Sequence, residues 1–124
     1  IHANGPLIIN ELMYNPDGSD TKREWIELKN IGPSPINIKD WRINDGTNHQ
    51  IKNDAHPEYF SVLPNELIVL ASDATTFLNA HTGFVGKIFD TVLSLKNTSD
   101  HITLLDDKKI IVGLINKALK ESHL

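Results

Sequence analysis

Five carboxylates in this chain sit where they could do chemistry: Glu11 in "LIINELMY", Glu24 and Glu27 in "REWIEL", and Asp17 and Asp20 in "NPDGSD". Paired carboxylates serve as general acid and base, or hold a divalent cation. Glu24 and Glu27 are three residues apart in a run with the apolar density of a strand. Strand side chains alternate between faces, so residues three apart point to opposite sides. Those two glutamates therefore form neither a chelate nor an acid–base pair. Glu27 can still meet Glu11 if the first two strands pair antiparallel. Two facing carboxylates repel unless a cation joins them, and Arg42, Lys29 or a metal ion could fill that role. The plainer alternative is that each carboxylate accepts hydrogen bonds from backbone or arginine and anchors the fold.

Asn15, Asp17, Ser19 and Asp20 offer oxygen ligands that superficially suit calcium. The loop lacks EF-hand spacing and a closing bidentate glutamate, so an Asx-rich turn is the preferred reading. The six histidines (His2, His49, His56, His81, His101 and His123) contain no i, i+4 pair. His49 and His56 share a loop with Asp45 and Asp54, where a weak zinc site competes with simple solvation. Cysteine is absent, as are a phosphate-binding loop, a dinucleotide fingerprint and a G-x-S-x-G elbow. Asn97-Thr98-Ser99 fits a glycosylation acceptor but equally a turn, which is favoured. Trp25 and Trp41 could form an aromatic platform; core packing is the stronger expectation, since Trp41 is in phase with Ile43.

The elements that must position these residues are short apolar runs separated by turn signals, the pattern of an all-β domain. Strands are expected at 6–14, 24–30 and 36–45, the last with a bulge or bend near Lys39–Asp40. "NDG" at 44–46 marks a turn, and 47–58 is a polar loop with a short strand at "HQIK". Two apolar runs over 59–72 flank a turn at "PNE", and "LIVL" reads as a strand buried on both faces. Ser72 or Asp73 caps a short helix over 73–81 with Phe77 facing the core. Further strands follow at 84–97 and 101–106, joined by a turn at "NTSD", and "DDKK" turns the chain into "IIVG". The last twelve residues switch to helical spacing. The expected architecture is a β-sandwich of about 7–9 short strands with that one helix.

The chain has 124 residues, no cysteine and a formal charge of −4, with 12 basic against 16 acidic side chains. One compact core suits this length, and residues 1–124 are read as one domain. A general nucleic-acid-coating role is disfavoured, because phosphate binding needs a concentrated basic face. No run approaches the roughly 20 apolar residues needed to span a bilayer. The chain opens at Ile1, which suggests a segment of a longer, multidomain precursor.

The order of motifs resembles that of the bacterial lamin tail domain. "LIINELMYNPDG", "EWIELKN", "INIKDWRINDG", "LPNELIVLASD" and "LSLKNTSDHITLLD" follow one another over about residues 7–112. The family's "I-N-E" falls on Ile9, Asn10 and Glu11, and its "E-W-I-E-L-x-N" on Glu24, Trp25, Ile26, Glu27, Leu28 and Asn30. Its tryptophan step falls on Asp40 and Trp41, its Leu-Pro-Gly turn on Leu63, Pro64 and Asn65, and its late hairpin on Asn97 to Asp100. Asn65, Ser99 and Lys109 stand where glycines of positive φ are usual, and Gly113 where aspartate is common. The resemblance implies an immunoglobulin-like β-sandwich whose structural signature is Asn10, Glu11, Glu24, Trp25, Glu27, Asn30, Trp41 and Asp100.

It further implies an interaction or tethering module of a secreted or cell-envelope protein, binding protein, glycan or envelope, with no catalytic residue and no cofactor. The alternative is a nucleic-acid-binding accessory of a secreted nuclease or phosphatase, which would need Lys87, Lys96, Lys108, Lys109 and Lys117 on one face. A metal-dependent hydrolase would require Glu11, Glu27 or the Asp17–Asp20 loop to converge, calcium being the cation those oxygens suit.

Overall fold

Successive residues of the "WIELKN" stretch enter two different apolar environments, and that alternation sets the architecture. Ile26 and Leu28 join the central core, whereas Trp25 joins a smaller cluster on the opposite face. The structure, a computed structural model, describes residues 2–3, 7–13, 24–44, 46–91 and 101–116. Its first strands are β1 (His2–Ala3), β2 (Leu7–Met13), β3 (Trp25–Asn30), β4 (Ile36–Asn37), β5 (Arg42–Asn44) and β6 (Asn48–Gln50). After a 3-10 turn at Pro57–Phe60 come β7 (Ser61–Val62), β8 (Leu67–Ala71), helix α1 (Ala74–Ala80), β9 (Lys87–Asp90), β10 (His101–Leu105) and β11 (Ile111–Asn116).

The strands form one sheet in the order β2-β3-β8-β9, a second in the order β1-β11-β10-β5-β6, and a two-stranded β4-β7 pair. Leu7, Ile26, Leu28, Ile68, Leu70 and Phe89 from the first sheet bury against Ile43, Ile102 and Leu104 from the second. This is the expected immunoglobulin-like β-sandwich with one short helix. Among the described residues there are eleven strands, because three two-residue pairings (β1, β4 and β7) add to the longer runs. β8 is apolar on both faces for a visible reason. Ile68 and Leu70 face the core, while Val69 and Ala71 face the outer cluster with Trp25 and Phe77. The β8–β9 pairing is parallel, with α1 as part of the crossover.

Several local expectations are met. Asp73 caps α1, its carboxylate accepting from the Thr76 amide at 2.9 Å, and Phe77 is the buried helix residue. Asn65 and Lys109 take φ of 66° and 63°, the left-handed turns expected at those positions. The "HQIK" segment contributes β6 and a bridge from Lys52 to Asp90, which ties the edges of the two large sheets together.

Two expectations are corrected. The single strand at 36–45 is two strands in different sheets, separated by a turn in which Asp40 takes φ 65°. The phase shift between Ile38 and Trp41 marks the chain's passage from the small pair to the large sheet. The helical spacing after Val112 gives way to β11, which runs to Asn116. Gly113 and Leu114 pair with Leu104 and Thr103 on one side and with Ala3 and His2 on the other. Ladder hydrogen bonds on both sides outweigh a weak 3.6-residue periodicity. The 15–20 loop and the "NTSD" turn, with Asn97 and Asp100, lie outside the described residues, as does the chain after Asn116.

Candidate functional site

β3 carries side chains of two kinds. Asn30, at its end, is fully buried. Its Nδ2 donates to the carbonyls of Ser34 and Val62, each at 2.9 Å, and its Oδ1 accepts from the Gly32 amide at 2.9 Å. Its backbone also exchanges hydrogen bonds with the β7–β8 turn, through Glu66 at 3.1 Å and Asn65 at 2.7 Å. One residue thus fixes the "IGPSP" loop and strand β7 through its side chain and the following turn through its backbone. A buried amide survives there because its partners replace the water it lost.

The same turn is braced from β9. Lys87 Nζ donates to the Ser61 carbonyl at 2.6 Å and to Glu66 Oε1 at 3.1 Å, and Glu66 Oε1 also accepts from the Leu63 amide at 2.8 Å. Trp25 packs edge-on to Phe77, ring centroids 5.6 Å apart, under α1. The Glu24 backbone carbonyl accepts from the Ser72 amide and hydroxyl, and its side chain is buried. Trp41 is half-buried against the central core. The tryptophans therefore pack, as expected, rather than forming a platform.

The other kind is Glu27. It stands directly opposite Glu11 across the β2–β3 ladder, so the two carboxylates do share a face. A β-bulge produces this juxtaposition. The register shifts between Ile9 and Glu11, leaving Asn10 as the extra residue. Without that insertion Asn10, not Glu11, would oppose Glu27. Asn10 Nδ2 instead reaches across to Glu27 Oε1 at 2.7 Å. Among the described residues neither carboxylate is in an ion pair. Arg42, a candidate partner from the sequence, lies in the other sheet and donates to the Asp40 carbonyl at 3.1 Å. Lys29 does share the face, two residues along from Glu27.

Asp17 and Asp20 lie outside the described residues. Among the described residues no group of three or more His, Cys, Asp or Glu side chains is placed to hold a metal ion. His49 meets the Thr47 hydroxyl at 2.8 Å. His56 pairs with Glu58 at 3.1 Å and stacks on Tyr59 at 4.6 Å, so it turns toward the 3-10 segment. Glu58, fully exposed, has its carboxyl held below the usual range, first by a backbone hydrogen bond and then by His56.

Of the basic residues, Lys87 is engaged with Glu66, and Lys108 and Lys109 sit in the β10–β11 turn, while Lys96 and Lys117 lie outside the described residues. Sequence reasoning missed the bracing roles of Glu66 and Lys87. The tight "LPNE" turn was the available signal for the first; the second, 21 residues away from it, left no local one.

Comparison with known families gives one match, the lamin tail domain, over residues 1–116. No curated protein and no solved structure matches the chain. The family match reaches four residues beyond the 112 at which the motif resemblance fades, to the end of β11.

Proposed function

Because the chain belongs to the lamin tail domain family, an immunoglobulin-like interaction module, we propose that it is a non-catalytic tethering domain. Its setting in this reading is a secreted or cell-envelope protein, and its partner is a protein or envelope component. One observation carries the proposal. The polar groups with the most elaborate surroundings, Asn30, Glu66 and Lys87, spend their hydrogen bonds on bracing the sandwich. A catalytic group needs free valences aimed at a substrate; these are aimed at the backbone.

The test is turnover by the 124-residue chain on p-nitrophenyl phosphate and p-nitrophenyl glycosides, with and without calcium. The expected rate is that of buffer alone. Reproducible hydrolysis lost in Glu11→Ala or Glu27→Ala would overturn the reading. Salt-sensitive binding to a DNA duplex would move it to the nucleic-acid alternative.

A further inference from the structure

The outer face of the β2-β3-β8-β9 sheet is half covered. Helix α1 and the loop behind it close over Trp25, Val69 and Ala71, with Phe77 and Phe84 packed above. The other half is open. Across it run two rows set by the strand register: Glu11 opposite Glu27, which ends at the covered Val69, and Ile8 opposite Lys29 and then Leu67. Ile8, Glu11, Glu27 and Lys29 are each part-exposed, and Leu67 keeps 40% of its surface.

Two features mark this half-face. Like charges directly opposite on a ladder are unfavourable, and among the described residues Glu11 faces Glu27 with the Asn10 amide alone to relieve the pair. The bulge at Asn10 is what creates that pairing, and bulges characteristically re-aim side chains near functional surfaces. Beside the carboxylates, Leu67 leaves 40% of its surface exposed and Ile8 is part-exposed, with Lys29 between them.

We propose that this half-face is where the module docks its partner, and that the occupant is an extended protein segment presenting, on one face, a basic side chain with aliphatic ones two residues away. The two carboxylates outnumber the one ammonium of Lys29 on this face, which favours a cationic partner. An arginine between Glu11 and Glu27 relieves their repulsion, and an aliphatic side chain two residues along, on the same face of the extended segment, lies toward the row of Ile8 and Leu67. The proposal rests on the interaction-module reading and adds the site and the chemistry of the partner to it.

The probe is the peptide acetyl-Leu-Gly-Arg-Gly-Leu-amide, which presents arginine and leucines on one face when extended, titrated into the ¹⁵N-labelled chain, with the glutamate analogue acetyl-Leu-Gly-Glu-Gly-Leu-amide as control. The arginine peptide is expected to shift the amides of Ile8, Glu11, Glu27, Lys29 and Leu67, and the control is not. Glu11→Gln with Glu27→Gln is expected to weaken the interaction about fivefold, while Glu58→Gln on another surface leaves it unchanged. The same double variant should melt higher than the parent, which keeps lost binding distinct from lost folding.

Equal response to both peptides, shifts confined to other faces, or no shift at all would overturn the docking site. So would calcium alone displacing the peptide from those amides, or self-association shifting them, since the occupant would then be a cation or a second copy. None of these touches the non-catalytic reading, which falls only to turnover.

Discussion

Asn30 and Glu27 are three residues apart on one strand, yet they live in opposite chemical situations. Asn30 is buried, and its side-chain amide meets three backbone partners from the "IGPSP" loop and β7. Glu27 is part-exposed, faces another carboxylate and receives one hydrogen bond from an exposed neighbour. Parity puts them on different faces, and the difference teaches how this fold divides its polar residues. Those at the closed end hold segments together at no net cost in unsatisfied groups. Those on the open half-face carry a repulsion that the fold would be more stable without.

Removing what holds the closed side should give the largest effects. Trp25→Ala empties the cluster under α1 and is expected to cost about 4 kcal/mol, read from urea unfolding. Asn30→Ala leaves the buried Val62 carbonyl without its donor and frees the "IGPSP" loop. About 3 kcal/mol is expected there, with amide exchange accelerated first around β7. Asp73→Ala removes the α1 cap and should cost about 1 kcal/mol, with tryptophan fluorescence reporting looser packing over Trp25 while Glu27 is unaffected. A cost at Asn30 below about 0.5 kcal/mol, within the range of ordinary surface changes, would erase the contrast between the two sides.

The smallest effect concerns Glu58. Its carboxyl titrates below the usual glutamate range, mainly through a backbone hydrogen bond and then through His56. A depressed folded value contributes stability above the unfolded value, about 4.3, and that contribution fades as pH falls through the folded value. Carboxyl NMR should find Glu58 titrating lower than exposed model glutamates. Full exposure keeps the effect on melting small.

Much of this was legible in the residues. Period-two runs, "PNE", "NDG" and "DDKK" located most strands and turns, and Asp73 with Phe77 located the helix. The opposite faces of Glu24 and Glu27 followed from strand parity alone. What was not legible depends on long-range pairing. The turn at Asp40 reads as a bulge or bend within one strand because both flanking pieces have strand character, and only their different partners separate them. β11 looked helical past Val112 because one of its two ladders comes from the two residues of β1, at the other end of the chain. The facing of Glu11 and Glu27 needed the antiparallel pairing and also an unanticipated bulge at Asn10, which shifts register by one. Lys87 reaches a turn 21 residues away, a contact no local pattern announces.

The most direct test of the division between bracing and presenting residues is the unfolding free energy of Glu11→Gln, measured beside that of Asn30→Ala. The glutamine keeps the shape and removes the repulsion. It should be more stable than the parent by a few tenths of a kcal/mol, up to about 1, while Asn30→Ala is less stable. If Glu11→Gln instead costs more than about 1 kcal/mol, the carboxylate pair is part of the scaffold, and the open half-face is not a surface kept for a partner.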